Sequence, residues 1–175
     1  MLAAAVRFED FDSFGSTTNY KLGANYKLDD NVGIRATVST GFKAPTSGQL
    51  NASNISTLID NGVLVNKGVI PATNPVAAFA GAVDLQPEES DNYTVGFFGS
   101  VGEVDITFDY FNIEVTDRLT LSKDFELSAG DIVSLQAAGV SGADDIAVFR
   151  FFTNDFATET SGFDLVLSTE TEWMG

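Results

Sequence analysis

The sequence predicts an all-β chain: an antiparallel up-and-down sheet of about six strands, of a kind that fits a transmembrane β-barrel, with two long loops of which the second holds a short helix. Three observations predict it. Val32, Ile34, Ala36, Val38, Thr40 and Phe42 alternate without a fault against Gly33, Arg35, Thr37, Ser39, Gly41 and Lys43, which is the period of a strand with one apolar and one wet face. The strand segments run longer than the mean soluble strand of about 5–6 residues and near the roughly 9–11 that cross a bilayer. The connections alternate in length, so in up-and-down order the short turns gather at one rim and the long loops at the other.

Taken in order, residues 4–11 set Ala4, Val6 and Phe8 against Ala5, Arg7 and Glu9, before a turn-rich patch at 12–19. Tyr20, Leu22, Ala24, Tyr26 and Leu28 then oppose Lys21, Gly23, Asn25 and Lys27. Asp29, Asp30 and Asn31 turn the chain into the strand 32–43 and make the pair a hairpin. Pro45 stops that strand, because proline has no N–H for a ladder. Residues 44–87 hold all four prolines and read as irregular loop, well beyond the about 12–15 residues that a compact domain ordinarily leaves unstructured without a functional reason.

The next strand, 92–99, sets Tyr93, Val95 and Phe97 against Asn92, Thr94 and Gly96. After a short turn, Val104, Ile106, Phe108 and Tyr110 oppose Glu103, Asp105, Thr107 and Asp109. Beyond Tyr110 the apolar phase passes to Phe111, Ile113 and Val115, as a bulge or an emergence from the apolar layer would produce. The second loop, 116–158, carries a helix signal with Ser128 as N-cap, Asp131 in the first turn, Leu135 along it and Gly139 as C-cap. The last strand, 160–174, sets Phe163, Leu165, Leu167 and Trp173 against Asp164, Ser168, Glu170 and Glu172.

Composition narrows the function. With no cysteine and no histidine, disulfides, thiolate metal sites and Ser-His-Asp or Cys-His catalysis are excluded. A net charge of −16 supplies no cationic surface for nucleic acid. Carboxylate pairs such as Glu88-Glu89 and Asp144-Asp145 read as solvated turns, and no calcium-loop spacing occurs, so no catalytic, metal or cofactor site is expected. No run is long and apolar enough for a transmembrane helix, and the first residues lack the pattern of a signal peptide. The residues alone leave two architectures open, a membrane barrel and a soluble or surface β-sandwich that recognises a glycan or protein through its loops.

Four motifs then enter in order. Gly41, Phe42, Lys43, Ala44 and Pro45 (GFKAP) resemble the GFRAP segment before a long loop in TonB-dependent outer-membrane receptors. Pro87, Glu88, Ser90, Asn92, Tyr93 and Gly96, within LQPEESDNYTVGF, are similar to that family's segment leading into the next strand. Asp109, Tyr110, Phe111, Asp117 and Arg118 resemble its "DYF…DRI" strand, and Thr153, Asn154, Thr158, Thr160, Gly162 and Asp164 its "TN…T-x-T-x-G-x-D" strand. Lys43 stands where arginine is usual and Thr94 where an acid is usual.

The resemblance implies a fragment of a receptor in the bacterial cell outer membrane, with the plug and the remaining strands outside it. It implies partners as well: the lipid bilayer, the TonB complex through the plug region, and a small nutrient such as a siderophore, cobalamin or an oligosaccharide bound at the outer loops. On this reading Val32, Ile34, Val38, Tyr93, Val95, Phe97, Ile106, Phe108, Leu165 and Leu167 meet lipid. Arg35, Thr37, Asn92, Asp105, Asp109 and Glu170 line a polar lumen. Tyr20, Tyr26, Phe42, Tyr110 and Trp173 lie where aromatic girdles sit.

Overall fold

The computed structural model describes residues 1–12, 14–60, 62–146 and 148–170. In chain order, β1 (Leu2–Phe11), β2 (Gly15–Lys27) and β3 (Val32–Lys43) form a meander. There follow α1 (Ser47–Leu50), β4 (Asn54–Asp60), β5 (Val63–Val69) and α2 (Pro75–Phe79), then the long strands β6 (Glu88–Val101) and β7 (Val104–Leu121). After them come β8 (Phe125–Glu126), α3 (Ala129–Ala137), β9 (Val148–Arg150) and β10 (Phe152–Thr169). The chain divides into two compact units, residues 1–43, 89–116 and 157–175 in one and 44–88 and 117–156 in the other.

The first unit is built on an open six-stranded sheet in the order β1-β2-β3-β6-β7-β10. It is an up-and-down meander once the two excursions are set aside. Its turns follow from local chemistry: Asn31 donates its N–H to the Asp29 carboxylate at 2.8 Å, and the N–H of Leu28 reaches the carbonyl of Val32 at 2.8 Å. Alternation sorts the faces. Ile34, Val38, Tyr93, Val95, Phe97, Phe108, Leu165 and Leu167 stand exposed on one side, and Val32 and Ile106 are half-buried. The other face carries Arg35, Thr37, Thr94, Asp109 and Asp164. Every buried apolar side chain among the described residues lies in the other unit, so the sheet's apolar face has no core of its own. A sandwich would require a second layer over that face.

The bulge expected after Tyr110 is not there. β6 and β7 pair in one unbroken register from Glu89 opposite Thr116 to Val101 opposite Val104. The change of phase is chemical. Phe111 shares the polar face with Asp109, while on the apolar side Tyr110 is followed by Asn112, which is only 4% exposed and donates to Glu159 at 2.7 Å. The apolar layer therefore ends between Tyr110 and Asn112, the second of the two explanations the pattern left open.

The second unit corrects the reading of residues 44–87 and 116–158 as mostly irregular. β4 and β5 form an antiparallel hairpin, and the small sheet β4-β5-β9-β8 includes a parallel β5–β9 pair. Ile70, Val76 and Ala77 from the first excursion pack with Leu135, Ala143, Ile146, Phe149 and Phe151 from the second. Phe125 stacks on Phe149 and Phe151 at 5.8 and 5.2 Å. α3 begins at Ser128, whose hydroxyl accepts from the Asp131 N–H at 3.2 Å while Asp131 accepts from the Ser128 N–H, a capping box. Its C-cap is Ala138, one place before the Gly139 read from the sequence, and Gly139 follows it in the left-handed conformation. Strands β7 and β10 reach further than expected, to Leu121 and back to Phe152. Trp173 and Glu172 lie outside the described residues.

Candidate functional site

Two surfaces carry the chemistry, each within one unit. On the polar face of the sheet, Arg35 of β3 reaches across β6 to Asp109 of β7: Nε donates at 2.8 Å to one carboxylate oxygen and the terminal amine donates to the other, a fork-on-fork pair. Gly96 lies between them, directly opposite Asp109 in the register. A Cβ on Gly96 would fall on the Asp109 carboxylate, so the glycine is the gap through which the pair forms. Gly162 serves an aromatic in the same way: the Phe111 ring covers it, with Cζ 2.9 Å from where a Cβ would be. Lys21, Thr37, Thr94 and Asp164 complete a polar concavity around the ion pair.

On the same sheet, Asn92 donates to the Ser39 carbonyl and to the Ser90 hydroxyl, each at 3.3 Å. A Cβ on Gly41 would stand 2.9 Å from that hydroxyl. Phe42 packs at 5.6 Å edge-on to Phe11, which stacks on Phe14 at 4.6 Å. Tyr93 is exposed on the apolar side and Tyr110 lies 5.2 Å from Phe163. Lys43 closes β3 and is exposed, and Thr158 and Thr160 lie on β10.

The second surface is the loop unit, and its anchor is Asn154. Its carboxamide oxygen accepts from the Gln86 N–H at 2.9 Å, while its amide donates to the carbonyls of Gln86 at 2.9 Å and Asp117 at 2.5 Å. One side chain thus joins the end of the first excursion to the start of the second. Asp117 presents that carbonyl from a left-handed backbone, φ 53°, which a short polar side chain tolerates better than most. Beside it Glu88, 7% exposed, accepts from the Leu119 N–H at 2.9 Å, and the Arg118 guanidinium lies 5.3 Å from the Phe156 ring centroid. Pro45, Leu85 and Pro87 are buried, Ala44 and Thr153 half-buried. Thr46, just after Pro45, caps α1 with a Thr46–Gln49 capping box.

Elsewhere in that unit Asp124 takes two cations, Lys67 at 2.5 Å and Arg150 at 3.1 Å. The hydrogen bond from Lys67 first, then the charges of Lys67 and Arg150, hold its carboxyl below the usual carboxylate range. Among the described residues no three carboxylates gather to hold a metal ion.

The motif residues from 87–88, 117–118 and 153–154 therefore come together in the loop unit, and those from 109–111 and 162–164 on the sheet. Sequence reasoning did not find Asn154 as a clamp or Arg35 as the partner of Asp109, because pairs 37, 68 and 74 residues apart leave no local pattern.

Comparison with known proteins supplies the rest. Vitamin B12 transporters called BtuB from Photobacterium profundum and Vibrio cholerae are 26% identical over 75% of the chain and 24% over 90%. The chain spans about a fifth of their length, 18% and 20%. The siderophore receptor PirA of Pseudomonas aeruginosa superposes with a TM-score of 0.64 at 15% identity, over 94% of this chain and 27% of that one. A mutant of the ferric enterobactin receptor PfeA from the same organism, in complex with enterobactin, gives 0.66 at 16% identity, over 94% and 22%. These structures share the fold. The sequence model of the family described as TonB dependent receptor-like, beta-barrel, matches residues 1–174, and the chain belongs to that family.

Proposed function

We propose that the chain is a section of barrel wall with two outer loops from an outer-membrane transporter, one that captures a scarce nutrient at those loops and imports it with energy passed from TonB through a plug region. The observation that carries the reading is a sheet whose apolar face, Ile34, Val38, Val95, Phe97, Leu165 and Leu167, stays exposed while its polar face is organised around a forked ion pair. Lipid covers such a face, and a water-filled or plugged lumen suits the other. The relatives transport vitamin B12 or receive siderophores by their names, so a nutrient of that size is the cargo proposed here.

Orientation is directly testable because the chain has no cysteine of its own. In a receptor otherwise free of reactive thiols, Ser141→Cys in the long second excursion is expected to react with a membrane-impermeant maleimide on whole cells. Asp30→Cys in the short β2–β3 turn is expected to react only after the outer membrane is permeabilised. Equal labelling of the two on intact cells would sink the proposal. With the topology established, loss of nutrient uptake on deleting the gene, and its collapse with a protonophore, tests the import step.

A further inference from the structure

The small sheet of the loop unit ends on an open edge. In the order β4-β5-β9-β8, the end strand β8 is two residues long and offers little to pair with. The other end strand, β4, is seven residues long and pairs with β5 alone. Asp60 pairs with Val63 across a two-residue connection, so these two exchange both ladder bonds, and so does every second pair back from them. Ser56 and Leu58 therefore turn their N–H and C=O groups to β5, while Ile55, Thr57 and Ile59 turn theirs to the open side. Residues 54–59 are all exposed, and on that side the backbones of Ile55, Thr57 and Ile59 have no partner among the described residues.

A second observation is what this strand lacks. Natural edges are closed off by proline, lysine, a bulge or a covering segment. β4 carries no proline or lysine, its only charge is Asp60 beside the turn, and its register with β5 is unbroken. Ile55, Thr57 and Ile59 alternate onto one face and are all β-branched; Ile55 is 47% and Ile59 75% exposed, and the Thr57 hydroxyl between them donates to Asn66 at 2.6 Å. A row of N–H and C=O groups at the strand repeat is matched by one ligand chemistry, another polypeptide backbone in extended form. Charge then selects among such backbones. The unit carries ten acidic and four basic residues, and those cations are engaged within it: Lys67 and Arg150 on Asp124, Arg118 over the Phe156 ring and Lys123 over the Phe125 ring. A second copy would bring the same negative charge against it, whereas a basic segment is drawn in.

We infer that β4 is a docking edge for an extended basic peptide, which adds to the four-stranded sheet as one further strand with apolar side chains against Ile55 and Ile59 and Lys or Arg at the alternate positions. The inference rests on the transporter reading above only for placing this unit in the outer medium, which labelling at Ser141→Cys tests separately.

Fluorescence anisotropy of the intact detergent-solubilised receptor, titrated against the fluorescein-labelled peptide KVKIKVK, tests it. Saturable binding that weakens with added salt is expected. A strand bonds its neighbour through every second residue, so of two alternately N-methylated forms of the peptide one should lose at least about tenfold in affinity and the other little. Thr57→Pro removes the middle N–H of the open edge without touching the β4–β5 ladder. It should weaken binding by about tenfold with amide exchange on β5 unchanged, while Thr57→Val, which loses only the hydroxyl, should bind as the wild type does. Ile59→Lys, which sets a like charge on the edge, should weaken binding as much as Thr57→Pro. Absence of saturable binding to the wild type would overturn the inference and leave the transporter reading to its own test. Equal effects of the two methylated forms, or binding untouched by both Thr57→Pro and Ile59→Lys, would overturn it too. So would peptide-independent self-association of the receptor that Thr57→Pro abolishes, which would assign the edge to a second copy.

Discussion

Asn154 shows how much one residue can settle. Its carboxamide matches a peptide unit in reverse, accepting from the N–H of Gln86 and donating to its carbonyl, with the remaining donor on Asp117. Asn154→Ala removes three bonds to backbone in a half-exposed setting and is expected to cost about 1–2 kcal/mol, seen as faster amide exchange at Gln86 and its neighbours. Asn154→Asp keeps the acceptor for the Gln86 N–H but loses both donors and sets a charge against two carbonyls, so it should leave that amide less protected than in the wild type; protection equal to the wild type would refute the clamp. Gly96 makes the matching point on the sheet. Gly96→Ala displaces the Asp109 carboxylate and should lower stability in lipid vesicles by roughly 1–3 kcal/mol, the range for forced overpacking. Most of that loss should disappear in an Arg35→Ala background, where the pair no longer exists to be broken.

At the scale of the element, the strands of the large sheet and α3 were legible because their signals are local. Period-two alternation, an Asx turn at Asp29 and a capping box at Ser128 each lie within a few residues. The β4–β5 hairpin was missed although Asn61-Gly62 separates two β-branched runs, a hairpin signal overshadowed by the prolines and asparagines around it. The small sheet was illegible for a deeper reason, since β5 and β9 pair across about eighty residues and only a shared core holds them together. Its charge lock gives a test. Because the Asp124 carboxyl is held below its usual range, the folded unit binds that proton less readily than the unfolded chain. The contribution is therefore complete above the unfolded value near 3.8 and is lost as pH falls through the lowered one. Acid titration followed by amide exchange on β5 and β9 should show loosening in that range, and Asp124→Asn should remove this pH dependence, leaving the strands equally exchangeable above and below it. Ser128→Ala should cost about 1 kcal/mol through the lost cap, visible as fraying of the first turn of α3.

For the whole molecule, the proposed barrel wall requires adjacent positions on one strand to face different media. Leu165 and Val166 are 62% and 54% exposed and point to opposite faces of β10. In lipid, Leu165→Arg should cost roughly 2–4 kcal/mol if it sits near the midplane, and Val166→Arg far less; equal costs in vesicle unfolding would contradict a lipid-facing side. The loop core constrains how the two excursions can be exchanged. Ile70, Val76 and Ala77 come from one excursion, and Leu135, Phe149 and Phe151 from the other. Grafting either excursion alone into a related barrel would import half a hydrophobic interior and leave its mate unfilled. Should the excursions select cargo as proposed above, the transplantable unit would be the pair, and recombination that moves a working loop unit between relatives must carry both segments, with Asn154 and the residues that seat it, in a single cassette.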